Sequence, residues 1–317
     1  MSGDLIAAVR GEGLLAAGRP LVVLVSGGRD STCLLDLAAR ICGRPSVRAL
    51  HVNYGLRDGA DGDEAHCRAL CERFGVAFEV RRPRFDGRGN LQAWAREERY
   101  AAATALAAGL GADVAAGHTA TDQVETILYR LASSPSRRAL LGMRSREGVL
   151  IRPLLRYTRE QTAAHCVRRG LEWREDESNA SDVFARGRVR AGLVPALRSV
   201  HPAAEANVLV VAEILRDEAE VLDALVDGIL CGREEIELAR LRELPDAVRR
   251  LVVQRLADGA ADGPAAGAAR RAGDLAALGP DAALDLPHGV RAIVEGGVLR
   301  FGRTPRKPAR GPHRIKG

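Results

Sequence analysis

The residues best suited to chemistry lie in one hexapeptide, Ser26-Gly27-Gly28-Arg29-Asp30-Ser31. Its two glycines let the backbone approach an anion closely. Its serine hydroxyls and backbone N–H groups can donate to phosphate oxygens. The hexapeptide follows an apolar run, Leu21–Val25, and precedes a helical pattern over Thr32–Ile41. A strand, a glycine turn and a helix start in that order make an anion cradle, because orphan N–H groups and the helix dipole both favour negative charge. No Gly-Lys-Ser/Thr follows, so this is not a Walker A loop, and the Gly-x-Gly-x-x-Gly dinucleotide fingerprint is absent. The plainer alternative is an ordinary turn in which Asp30 and Ser31 cap the helix.

A second group sits in Gly117-His118-Thr119-Ala120-Thr121-Asp122-Gln123-Val124-Glu125-Thr126. Asp122 and Glu125 are three apart and share a helix face. Paired carboxylates can hold a cation and accept a proton from it. They could equally complement the helix dipole and cap its start. His51-Val52-Asn53-Tyr54-Gly55-Leu56-Arg57 closes another apolar run. Arg96 and Arg99 share a face of a helical stretch and could reach phosphate, or could form a surface ion-pair face with Glu97 and Glu98. Arg186 and Arg190, four apart, offer a basic edge suited to nucleic acid.

These groups need elements to position them. Apolar runs at Leu21–Val25, Val47–Val52, Ala77–Val80 and Val114–Ala116 read as buried strands. Helical patterns at Thr32–Ile41, Gly62–Phe74, Leu91–Ala108 and Thr121–Leu131 alternate with them. That order predicts an α/β, doubly wound, mainly parallel sheet with helices on both faces. Ser26, His51, Asn53, Gly117 and His118 all fall at predicted strand ends, where ligands bind in such sheets. From His201 the pattern turns mostly helical, Leu209–Leu230 most clearly, with Gly259–Gly273 as a loop or loose connector. Short strands follow at Leu284–Leu286, Val290–Val294 and Val298–Phe301, the last two joined by a Glu295-Gly296-Gly297 hairpin turn. We therefore expect a catalytic domain over 1–200 and a smaller, mostly helical domain over 201–317.

The net charge of +6 favours a polyanionic partner. Aromatic residues make up only 3% of the chain, which argues against a surface built mainly on stacked bases. Arg303, Arg306, Lys307, Arg310, Arg314 and Lys316 form a basic tail, read as a solvated end or an RNA-binding arm. The six cysteines are scattered without a Cys-x-x-Cys pair. Cys67 and Cys71, one helical turn apart, read as reduced helix residues. With no leader and no membrane-length apolar run, a cytoplasmic location and no membrane partner are expected.

The hexapeptide resembles the PP-loop of the ATP pyrophosphatases, which cleave ATP between the α and β phosphates. The ordered set from about Leu21 to Pro195 resembles the tRNA(Ile)-lysidine synthase family. It comprises the PP-loop, His-Val-Asn-x-Gly-Leu-Arg, Ala-Arg-x-x-Arg-Tyr and Gly-His-x-x-x-Asp-Gln-x-Glu-Thr. It continues with Arg152-Pro153-Leu154-Leu155 and the stretch from Glu175-Asp176-Glu177-Ser178-Asn179 to Arg186-Gly187-Arg188-Val189-Arg190. The resemblance implies adenylation of the wobble cytidine in a CAU anticodon by ATP, then displacement of AMP by L-lysine. It implies ATP and Mg²⁺, with Asp30 as metal ligand and Asp30, Asp122 and Glu125 as catalytic residues. It assigns ATP to Ser26, Gly27, Gly28, Arg29, Asp30, Ser31, His51, Asn53, Arg57, Gly117 and His118. Lysine falls to Asp122, Glu125 and Arg186, and tRNA(Ile) to Arg96, Arg99 and Arg190. The chain itself would be a monomer or homodimer. Tyr54 and Thr119 stand where the family commonly has histidine, Gly187 replaces a frequent asparagine, and Ser133-Ser134-Pro135-Ser136 replaces a Gly-Ser-Gly-like loop.

Two other readings share the PP-loop. A tRNA thiolase would use cysteines near the active site, and this chain has no suitable pair. A nucleotide-sensing module without catalysis would have no use for Asp122 with Glu125.

Overall fold

The computed structural model describes residues 4–56, 58–134, 136–174, 185–261 and 264–305, with the side chain of Arg186 also left out. The chain divides into two compact units, 1–212 and 213–317.

The first unit begins with α1 (Leu5–Gly11) and then alternates strands and helices. The elements are β1 (Leu21–Leu24), α2 (Arg29–Ile41), β2 (Val47–Val52), α3 (Ala60–Phe74), β3 (Ala77–Arg81), α4 (Leu91–Leu110), β4 (Asp113–Ala115) and α5 (Ala120–Ser133). There follow α6 (Arg137–Leu140), β5 (Arg146–Glu147), β6 (Leu150–Ile151), α7 (Arg159–Arg168), α8 (Ala185–Arg188), α9 (Val194–Val200) and α10 (Ala204–Leu230). The division between the units falls inside α10.

The strands order as β3-β2-β1-β4-β6-β5, parallel except for the β5–β6 edge pair. The doubly wound, mainly parallel sheet expected from the sequence is therefore present, with an antiparallel edge that the sequence did not reveal. Leu21, Val23 and Val25 pack on one face with α1, α2, α3 and Cys166 of α7. Val22 and Leu24 pack on the other with Ala103 and Ala107 of α4. Burial on both faces explains why β1 reads as an unbroken apolar run and not as an alternating one. Each fully buried Val or Leu contributes roughly 1.5–3 kcal/mol, and Val22 and Val23 are wholly inaccessible. The strand order reverses at β1, whose neighbours are β2 and β4. Both loops that carry the candidate chemistry leave from this switch point, after β1 and after β4.

The second unit holds the remainder of α10, then β7 (Glu235–Glu237), α11 (Leu238–Glu243), α12 (Asp246–Ala260), α13 (Ala272–Ala276), β8 (Ala283–Leu286), β9 (Val290–Glu295) and β10 (Val298–Arg303). Its strands form an antiparallel sheet ordered β7-β10-β9-β8. The expected hairpin is β9–β10, turning on Gly296 and Gly297, both at positive φ. The expected Gly259–Gly273 connector is split between the end of α12 and a short 3₁₀ turn at Ala268–Arg271. Among the described residues no helix is long and apolar enough to cross a membrane. Lys307, Lys316 and the tail arginines after Arg303 lie outside the described residues.

Candidate active site

The carboxyl ends of β1, β2 and β4 border a cavity of about 560 Å³. The loop after β1 is shaped by Gly27, at φ +80°, where a Cβ would stand 3.2 Å from His66 and 3.3 Å from the Cys67 sulfur. Ser31 fastens this loop from within. Its hydroxyl donates to the Gly28 carbonyl at 2.8 Å and accepts from the Ser26 N–H at 3.2 Å. The Ser26 hydroxyl lies 3.2 Å from that of Ser31. Helix α2 starts after Gly28 with no side-chain cap, so Asp30 and Ser31 do not serve as its N-cap. Gly117 is needed for a different reason. A Cβ there would sit 3.2 Å from the Asp30 carbonyl and the Ser31 nitrogen, so a side chain would drive β4 away from the start of α2.

Two histidines border the cavity. His51 donates from Nδ1 to the Val25 carbonyl at 2.9 Å, which fixes its ring against the PP-loop strand. His118 has a buried Nδ1 with no hydrogen-bond partner. Burial, opposed by Asp122 and aided by Arg152, Arg99 and Arg96, pushes its pKa down to about 4. The imidazole is thus neutral near pH 7 and offers a hydrogen bond, not a charge.

The carboxylates come together around one guanidinium. Asp122 and Glu125 lie on α5, as the three-residue spacing required. Arg159, the first residue of α7, places Nη2 at 2.8 Å from Asp122 Oδ1, Nη1 at 3.4 Å from Glu125 Oε1 and Nε at 3.8 Å from Asp30 Oδ2. Arg190 pairs with both oxygens of Glu125, at 2.7 and 3.0 Å. Arg29 reaches both oxygens of Asp30, at 3.1 and 3.3 Å, and the Thr162 hydroxyl donates to Asp30 Oδ1 at 2.5 Å. Burial works against ionising Asp122. The Arg159 charge and the N–H and O–H of Thr119 outweigh it and hold the carboxyl below the usual range. Asp122 serves the cap with one oxygen and meets a cation of the protein with the other: Oδ2 accepts from Thr119 in a capping box while Oδ1 faces Arg159. Thr119, in place of the family's histidine, supplies that cap.

The cavity lining includes Ser26, Gly28, Arg29, Asp30, Ser31, His51, Gly117, His118, Arg99, Asp122 and Arg190. Gly27 shapes the loop from behind. Asn53 is not brought in. Its amide donates to Asp61 and Glu64 and its oxygen accepts from Gly55, so a side chain expected on ATP is spent on holding α3. Arg190, expected on tRNA, is instead drawn in to the carboxylates. Arg99 also turns inward, with Nε buried and unpartnered, while Arg96 is exposed over the Tyr100 ring at 4.8 Å. Arg152 of the Arg-Pro-Leu-Leu segment is buried and donates to the Arg144 carbonyl and to Glu147, which makes it a structural residue. Arg57, the Glu175–Asn179 stretch and the side chain of Arg186 lie outside the described residues; Arg186 belongs to α8.

The sequence reading missed Arg159 and Thr162 on α7, and Trp173 and Arg174, which line the cavity after it. A signal for α7 was present. Thr158-Arg159-Glu160-Gln161 is a capping box, formed here in full. Nothing in the sequence says that its first residue would meet carboxylates from α2 and α5.

Asp30 is a suitable ligand type for Mg²⁺, which takes one or two carboxylates and fills its remaining positions with phosphate oxygens and water. Among the described residues no cluster of three or more His, Cys, Asp or Glu could hold a metal unaided. The donor set therefore fits a metal that arrives with a phosphate chain. Cys33, Cys42, Cys67, Cys71 and Cys166 are all buried. Burial pushes Cys67 and Cys71 up to about 12, so neither is a thiolate near pH 7.

Residues 8–197 match the PP-loop domain family. A tRNA(Ile)-lysidine synthase from Salinispora tropica is 36% identical over 299 residues, covering 88% of this chain and 90% of that one. The chain belongs to the tRNA(Ile)-lysidine synthase family. A relative of that name from Thermus thermophilus is 35% identical over 90% of this chain, which spans only 62% of the relative's length. The U34-tRNA thiolase NcsA from Methanococcus maripaludis superposes with a TM-score of 0.55 over 68% of this chain and 78% of that one. At 16% identity the likeness extends to the fold alone. Membership of the lysidine synthase family accounts for the ordered motifs from Leu21 to Pro195.

Proposed function

We propose that this chain ligates L-lysine to the wobble cytidine of tRNA(Ile) bearing a CAU anticodon. The observation that carries the reading is one cavity lined by both the anion cradle and Asp122, with Glu125 buried directly behind the lining and joined to Asp122 through Arg159. Cytidine O2 attacks the α phosphate of ATP and releases pyrophosphate. The amine of lysine then attacks C2, and O2 leaves with AMP, forming lysidine.

Each step has residues suited to it. Backbone N–H groups of Gly27 and Gly28, with the Ser26 hydroxyl, hold phosphate oxygens at the start of α2, on a loop whose shape Ser31 fixes from within. His51 and Gly117 form the wall against which the nucleoside rests. His118, neutral, hydrogen-bonds the nucleotide. Arg29 and Arg99 counter the charge that develops on the phosphates. Asp30 would hold Mg²⁺, which neutralises departing pyrophosphate. Asp122 and Glu125 bind the lysine ammonium, and one of them takes its proton before attack. Arg190 orients Glu125 from behind. Exposed Arg96 and the arginine-rich segment around it serve the tRNA, and residues 201–301 help reject tRNA(Met) of the same anticodon.

Incubation with labelled lysine, ATP and an isoleucine tRNA transcript tests the reading. Labelling that requires ATP and the wobble cytidine is expected. Bound ATP and bound tRNA without labelling would overturn it.

A further inference from the structure

The carboxylates assigned to the lysine ammonium are already occupied by a cation of the protein itself. Arg159 contacts Asp122, Glu125 and Asp30 from its position on α7, at 2.8, 3.4 and 3.8 Å. Its backbone is anchored, with N–H donating to the Thr121 hydroxyl at 3.3 Å, so only the side chain is free to swing. Counted formally among the described residues, Asp30, Asp122 and Glu125 face Arg29, Arg159 and Arg190: three negative charges against three positive. A neutral cluster has no electrostatic reason to admit another cation. With the guanidinium of Arg159 withdrawn, these described groups carry one net negative charge, and among the described residues Asp122 Oδ1 keeps Arg190 alone as its ion-pair partner, at 3.9 Å.

We propose that Arg159 is an internal counter-ion that closes the lysine site of the nucleotide-free protein and opens it when ATP is bound. Its Nε is buried, without a hydrogen-bond partner, and faces Asp30 at the PP-loop. Side-chain rotation about its anchored backbone carries the guanidinium from α5 toward the phosphate cradle, where an arriving triphosphate is a stronger partner than a shared carboxylate. Asp122 is then left for an ammonium, while Glu125 keeps Arg190 on both oxygens and can share only Oε1, the atom that Arg159 gave up. The consequence is order: nucleotide first, lysine second, so the lysine site is vacant only while the leaving group's source is in place. Linkage makes the effect reciprocal, and lysine must raise nucleotide affinity by the same factor.

The inference rests on the lysine-ligase reading, and calorimetric binding separates the two. L-Lysine is titrated into the full chain with and without saturating α,β-methylene-ATP, which resists cleavage at the bond the reaction breaks. In the wild type the analogue is expected to tighten lysine binding by about 5-fold or more, the lower end of ordinary coupling between sites. In Arg159→Gln the nucleotide-free protein is expected to bind lysine at least that much more tightly than wild type, with the analogue adding correspondingly less. If nucleotide-free wild type shows no lysine binding, its appearance in Arg159→Gln supports the proposal and its continued absence overturns it. Weaker lysine binding in the variant, or undiminished coupling, also overturns it. Should Arg159→Gln lose its near-ultraviolet dichroism, Arg159→Lys takes its place, because one ammonium cannot span three acids. Lysine affinity no higher than wild type in that protein rejects the proposal. Lysidine formation by the wild type with these results negative sinks the counter-ion and leaves the ligase reading standing. Absence of lysidine with positive binding results does the reverse.

Discussion

Helices α2 and α7 meet twice, and the two meetings are built to different standards. At their N-terminal ends Asp30 faces Thr162 and Arg159, with its side chain 19% exposed. Further along, Asp36 faces His165 at 2.8 Å, Arg40 at 2.9 Å and Arg169 at 3.7 Å, with Asp36 and His165 each 2% exposed. Both are acid–base clusters between the same helices. The inner one is sealed at its centre: Asp36 and His165 are buried while Arg40 and Arg169 reach out to solvent and a smaller cavity, and His165 and Arg40 hold the Asp36 pKa below the usual range against burial. The outer one is open to a cavity and contains a guanidinium nitrogen with no hydrogen-bond partner. A cluster that only stabilises can finish its hydrogen bonds within the protein. One that must exchange partners keeps some of them for ligands.

Neutralising the outer acids should have the largest effect on turnover. Asp122→Asn keeps an oxygen to accept from Thr119 but loses the charge, and lysine incorporation is expected to fall by about 10²–10⁴-fold. Thermal unfolding should stay near wild type and ATP-analogue binding should persist; normal turnover would remove the lysine-site assignment. Asp30→Ala should cut pyrophosphate release by a similar factor, and unchanged release would refute its proposed metal role. The inner cluster should respond the other way. Asp36→Ala strands a buried His165 beside two arginines and is expected to cost about 3–5 kcal/mol in denaturant unfolding. The fraction that remains folded should turn over normally, and a large loss of kcat without loss of stability would erase the distinction.

Smaller effects sharpen it. Gly117→Ala forces a methyl against the backbone of Asp30 and Ser31, at an expected cost of about 1–3 kcal/mol. The damage should show as a raised KM for ATP, because the displaced atoms belong to the cradle. His118 sets the smallest effect. Its folded pKa of about 4 lies below the unfolded value of 6.5, so the unfolded chain binds the proton more readily. That stability is fully present above about pH 6.5 and is lost progressively as pH falls toward 4. Between about pH 7 and pH 6 the loss is only about 0.7 kcal/mol. His118→Gln should flatten this part of the stability profile, and an unchanged slope would assign it to another group.

The hexapeptide at Ser26, the strand ends at His51 and Gly117, and the Asp122–Glu125 pair were legible because their signals are local. Burial on both faces writes an apolar run, a tight turn writes glycine, and a helix face writes a spacing of three or four. Asn53 shows the limit of that logic. It sits at a strand end as expected, yet its side chain turns to α3, because position along a strand does not fix which neighbour an amide meets. Arg190 shows it from the other side: a residue read as facing RNA lies on Glu125, which is 65 positions away in the chain.

The anion cradle, the alternation of strand and helix that presents it, and the acidic pair on α5 follow from the order of residues along the chain. Each of these is a matter of residues close together in the chain, constrained by backbone geometry and by which face is buried. The company those residues keep was settled by folding. Thr162 reaches Asp30 across 132 positions, and His165 reaches Asp36 across 129. Arg159 stands among three acids because α7 starts beside α2 and α5, and helix packing, not helix propensity, chose that place. Ion pairing depends on the distance and exposure of groups brought together by folding, and no local periodicity records either.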